Sequence, residues 1–103
     1  MYGTTPIYAI TCLEKIEDRN TLPDFGATAF MGFYYEKEEA WTAVTENRAD
    51  IAEHCYGYAV IERIPPGLYP CPRTRWFFRY DAEQNRFVPI EEPAVMAHFA
   101  GVL

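Results

Sequence analysis

The sequence predicts an α+β fold in the order β-β-α-β-β-β-α. One mainly antiparallel sheet of about five strands packs against one long helix, with a short helix at the C-terminal end. Three observations carry this prediction. Short segments alternate with period two, one segment repeats with a helical period, and clusters of proline, glycine and asparagine separate them.

Ile7 to Leu13 alternates, with Tyr8, Ile10 and Cys12 on one face and Ile7, Ala9 and Thr11 on the other. Apolar residues on both faces predict an internal strand. Glu14 to Gly26 is polar and carries Asn20, Pro23, Asp24 and Gly26, so an irregular connection is expected there. Ala29 to Tyr35 alternates again, and Gly32 within it marks a bulge or a close backbone approach.

The helix comes next. Glu36, Glu38 and Glu39 crowd its first turn, where carboxylates complement the macrodipole. At 100° per residue, Ala40, Trp41, Val44, Ile51, Ala52 and Cys55 gather on one side. Glu38, Glu39, Glu46, Asp50 and Glu53 gather opposite. Arg48 falls inside the apolar stripe, beside the poor helix former Asn47. Either the helix breaks near Asn47, or Arg48 runs along the core edge with its head in water.

Tyr56 to Ile64 forms a third strand, and Pro65, Pro66, Gly67, Pro70 and Pro72 then forbid regular structure. Thr74 to Tyr80 forms a fourth, with Thr74, Trp76, Phe78 and Tyr80 on one face. A polar loop of hairpin length, Asp81 to Asn85, leads to a fifth strand at Arg86 to Ile90. Pro89 places that strand at an edge. Pro93 suits a first helical turn, and Ala94 to Gly101 is the short final helix. All 103 residues read as a single α+β domain.

Composition narrows the function. Half of the residues are hydrophobic and 17% aromatic, which excludes a disordered chain. A net charge of −6 disfavours nucleic acid and anionic membrane as partners. No apolar run approaches a membrane span, and MYGTTPIYAI lacks the basic and apolar regions of a signal peptide. Cys12, Cys55 and Cys71, an odd count at unrelated spacings, fit free thiols in a cytoplasmic setting.

Two constellations are candidates for recognition. Arg48, Tyr58, Arg63, Arg75, Trp76 and Arg79 could bind an anionic ligand or form an interface hot spot. Glu38, Glu39, Glu46, Asp50 and Glu53 could dock on a basic partner. The plainer reading puts Trp76, Phe78 and Tyr80 in the core. Arg75 and Arg79 then face carboxylates such as Glu62, and the acidic stripe is a solvated helix face. His54, Cys55, Cys71 and His98 have no metal-ligand spacing, and no phosphate-binding glycine loop occurs, so neither metal nor cofactor is expected. Cys71, in a loop near Arg73, is the one nucleophile worth naming, and no catalytic residue is assigned.

Two stretches, GFYYEKEEAWTAVTENRADIAEHCYGYAVIERIPPGLYP (residues 32–70) and RWFFRYDAEQNRFVPIEEP (residues 75–93), carry a resemblance. The G-[FY]-[FY] strand, EEA helix start, YAVIE strand, GLYP turn and PIEEP break resemble short α+β proteins of Firmicutes genomes, prophages and mobile elements, a group with no assigned activity. The resemblance implies a small accessory protein, phage-borne in its sharpest version, that blocks a host defence protein or sequesters a signal nucleotide. The expected function is therefore non-enzymatic binding of a protein partner, with homodimerisation expected alongside. A nucleotide or other anionic small molecule is the alternative ligand, and a small cysteine-dependent enzyme the third reading.

Overall fold

Alternating large side chains build one sheet with two unlike faces. The computed structural model describes residues 5–20, 22–48, 56–67 and 74–96. In chain order these hold β1 (Ile7–Leu13), β2 (Glu17–Arg19), β3 (Leu22–Asp24), β4 (Thr28–Tyr34), α1 (Lys37–Thr45), β5 (Tyr58–Ile64), β6 (Thr74–Asp81) and β7 (Arg86–Ile90). A 3-10 turn follows at Ala94–Met96. The sheet is five-stranded in the order β4-β1-β5-β6-β7, and every neighbouring pair is antiparallel. The predicted class holds, β1 is internal, and β7 with Pro89 lies at an edge.

One face packs under α1. Ile10, Cys12, Ala59, Ile61, Phe78 and Phe87 meet Ala40, Ala43 and Val44 there. Trp41 closes on Phe78 edge-to-face, with ring centroids 4.8 Å apart. The other face holds a smaller cluster of Leu13, Val60, Phe77 and Met96, flanked by Ile16, Phe25 and Val95. The 3-10 turn therefore helps cover the second face; the expected helix beyond Met96 lies outside the described residues.

Two expectations need correction. The connection from Glu14 to Gly26 contains a second, two-stranded sheet, β2 with β3. Asn20, at φ 52°, supplies the left-handed residue of its turn. Asp24 holds its base, accepting from the Gly26 N–H at 3.0 Å and pairing with Lys15 and Arg19.

The helix is also shorter than the periodicity suggests. It ends at Thr45 because Asn47 turns left-handed at φ 51°. The Asn47 N–H then donates to the Val44 carbonyl at 3.0 Å, closing the last turn. Ile51, Ala52 and Cys55, the rest of the expected stripe, lie outside the described residues.

Candidate functional site

β4 is the unguarded rim of this sheet. Among the described residues it pairs only with β1, and Thr28 to Tyr34 contains no proline and no charged residue. Natural edge strands are usually blunted by such residues, as β7 is by Pro89. β4 instead exposes apolar side chains: Phe30 is 56% exposed, Met31 38%, Phe33 46% and the following Tyr35 63%. They are four of the five large hydrophobic side chains exposed among the described residues. Phe30 pairs with Thr11 and Phe33 with Ala9, so both rings stand on the sheet face away from α1. Phe33 and Tyr35 touch edge-to-face, with centroids 5.5 Å apart.

A bulge interrupts this strand. Ile10 pairs with Gly32 and Thr11 with Phe30, which leaves Met31 as the extra residue. Gly32 takes φ +129°, the bulge conformation that glycine tolerates. A Cβ on Gly32 would meet open space. That space is a concavity of about 170 Å³, lined by Ile10, Met31, Gly32, Phe33, Tyr34, Ala43 and Arg48. The polar side-chain groups among these residues are the Tyr34 phenol and the Arg48 guanidinium.

Asn47 positions that guanidinium. Its left-handed turn ends α1 and brings Arg48 back over β4. The Arg48 head is half-exposed, with Nε 3.5 Å from Glu46 Oε1. A hydrogen bond with the Tyr34 side chain, and secondarily the Glu46 charge, hold the Arg48 pKa above its usual value. The cation is therefore fixed on the rim of an apolar cup.

A second concavity of about 220 Å³ lies against Lys37, Glu38, Trp41 and Thr42. The chain supplies its own cation there. Lys37 Nζ stands 5.3 Å from the Trp41 ring centre and 4.7 Å from that of Trp76. Neither concavity reaches the ~300 Å³ at which drug-sized ligand sites begin.

The sheet separates the arginine and aromatic candidates. Trp76 and Arg63 lie on the α1 face, Trp76 beside Tyr8 with centroids 6.2 Å apart. Tyr58, Arg75 and Arg79 lie on the other face. Tyr58 is half-buried in the second cluster, and Arg79 is exposed. Arg75 is largely withdrawn from solvent. It pairs with Glu92 at 2.8 Å and donates to the Met96 carbonyl at 3.3 Å, so it anchors the 3-10 turn. Glu38, Glu39 and Glu46 are exposed; Asp50 and Glu53 lie outside the described residues.

For chemistry the described residues offer little. Cys12 is fully buried, and burial pushes its thiol up to about 12. Cys55, Cys71, His54 and His98 lie outside the described residues. Among those described, no three His, Cys, Asp or Glu side chains gather as metal ligands. No helix among them is long and apolar enough to cross a membrane.

Of the residues at the β4 site, sequence reasoning singled out Arg48 and Gly32 and missed the exposed rings. Their signal was a ring-rich strand carrying neither proline nor charge. Family models, curated proteins and solved structures yield no match to this chain.

Proposed function

We propose that this chain is a non-enzymatic binding protein that captures an extended segment of a partner protein along β4. The observation that carries the reading is the exposed run of Phe30, Met31, Phe33 and Tyr35 on a strand that, among the described residues, is paired on one edge only. Single exposed hydrophobic residues are ordinary, but contiguous ones rimmed by polar surface mark interaction sites. An extended peptide added to an edge gains main-chain hydrogen bonds, and its alternate side chains read the two faces. On the outer face those side chains would meet Phe30 and Phe33. An inhibitor of a host defence protein, the role implied by the resemblance, would act through this same surface.

The test is an affinity capture from the native host, read by mass spectrometry, with the parent chain and a Phe30→Asp/Phe33→Asp variant side by side. Both rings are about half exposed, so the variant should keep the fold, which circular dichroism checks. A partner held by the parent and lost by the variant supports the reading. A partner held equally by both sinks it.

A further inference from the structure

The bulge makes a pocket on the α1 side of the same strand, and that pocket has its own chemistry. We infer that it receives a carboxylate side chain from the docked segment, with the acid head on Arg48 and its methylene stem on Ile10 and Ala43. This rests on the β4 docking reading and adds the sequence that the docked segment must carry.

The geometry supplies the argument. Gly32 has no side chain, so the strand surface opens at that one position down to Ile10. The opening of about 170 Å³ holds roughly five or six waters at ~30 Å³ each, the scale of one side chain or one small acid. Among the described residues its only charged lining residue is Arg48, a five-donor fork with no acceptor, whose half-exposed head has donors beyond those that meet Tyr34 and Glu46. The Tyr34 hydroxyl stands on the same wall as a further donor. A cation would be repelled by Arg48, and a purely apolar side chain would gain nothing from its remaining donors.

Strand geometry then fixes the pattern. Side chains of an added strand alternate between faces. Those on the outer face meet Phe30, Phe33 and Tyr35. Those on the inner face meet the pocket. The segment recognised therefore reads apolar–acidic–apolar over three consecutive residues.

The test selects displayed peptides of about seven randomised residues on the immobilised full chain. One selected peptide is then titrated beside its Glu→Gln twin while backbone amide resonances are followed. The expected winners carry Asp or Glu between two apolar residues and shift the amides of Met31, Gly32 and Phe33. The Gln twin should bind about tenfold more weakly, the scale of a charge-assisted hydrogen bond. In an Arg48→Gln chain the twins should bind alike, while Arg48→Lys should retain part of the preference. Melting temperatures of both variants check their folding.

Peptides that shift the β4 amides without an acidic preference overturn the carboxylate pocket and leave β4 docking standing. Selected peptides that leave those amides unmoved overturn both. Millimolar propionate forms the last arm. If it binds as tightly as the best peptide, the pocket serves a free small acid, and the strand-borne carboxylate is overturned.

Discussion

Arg75 stands directly opposite Glu62 across the β5–β6 ladder, on the sheet face away from α1. Glu62 is fully buried, and the Arg75 side chain is only 8% exposed. The guanidinium also lies over the Phe77 ring, 5.6 Å from its centre, and bonds Glu92 and the Met96 carbonyl. One cation thus ties β6 and the C-terminal turn into one unit, directly across the ladder from a buried carboxylate of β5.

Breaking that unit one charge at a time should be costly. Removing one of two opposite charges that face each other across a ladder costs their attraction, whereas removing both also relieves a burial penalty. The double variant Arg75→Met/Glu62→Met should therefore be more stable than the sum of the single losses, by about 1 kcal/mol or more. Urea denaturation of the four chains measures the coupling. Losses that simply add would show that the two charges do not interact.

Cys12 should set part of the alkaline stability. Its folded pKa, at about 12, lies above its unfolded value of 9.0. Below pH 9.0 the thiol is protonated in both states and the stability is at its full level. Between 9.0 and about 12 only the unfolded chain releases the proton, so stability falls as pH rises. The slope is about 1.4 kcal/mol per pH unit. Cys12→Ala should flatten this part of the curve, because its remaining slope comes from other groups. Stability against pH for the two chains checks this, and parallel curves would refute it.

Asp24 acts at the other end of the pH scale. The Gly26 N–H, first, and then Lys15 and Arg19 hold its carboxyl below the usual value of 3.8. A depressed pKa gives a contribution that is present above 3.8 and lost as pH falls through the folded value. The β2–β3 hairpin should loosen in acid before the main sheet does. Asp24→Asn should reproduce the loosening at neutral pH, seen as faster amide exchange at Gly26 with β1 and β5 unchanged. Unaltered exchange at Gly26 would contradict this.

Gly26 and Gly32 should respond differently to alanine. Both have positive φ, at +61° in the left-handed region and +129° beyond it, so each replacement strains the backbone by about 1–3 kcal/mol. At Gly32 nothing else is disturbed, because a Cβ meets no atom. At Gly26 a Cβ runs into the Glu14 side chain, whose Oε1 accepts from the Ala27 N–H at 3.0 Å. Gly26→Ala should therefore lower the melting temperature more than Gly32→Ala. The reverse order would show that backbone strain outweighs the Glu14 contact.

Strands with strong alternation were legible in the sequence. Ile7–Leu13 and Arg86–Ile90 appear with the expected bounds, and Pro89 marks the edge as its missing donor requires. The β2–β3 hairpin was not legible, because EDR and LPD are short, polar and hold Pro23, so neither shows a period. The helix end was hidden for a different reason. Apolar spacing continues to Cys55, and spacing carries no information about the sign of φ at Asn47. At the site, Arg48 stood out as a charge in an apolar stripe, and Gly32 as a gap in a strand. The exposed rings did not stand out. Alternation assigns Phe30 and Phe33 to a face, but only the tertiary layering shows that the two rings are exposed there.

The contrast between the two rims of the sheet bears on how such molecules would assemble. Among the described residues β4 offers an unpaired edge, while the opposite rim, β7, carries Pro89, which has no N–H to donate. A second copy added at β4 would present its own Pro89 rim outward. Growth by edge-to-edge addition would then stop at a closed pair, and the exposed aromatic strand would not seed a fibre.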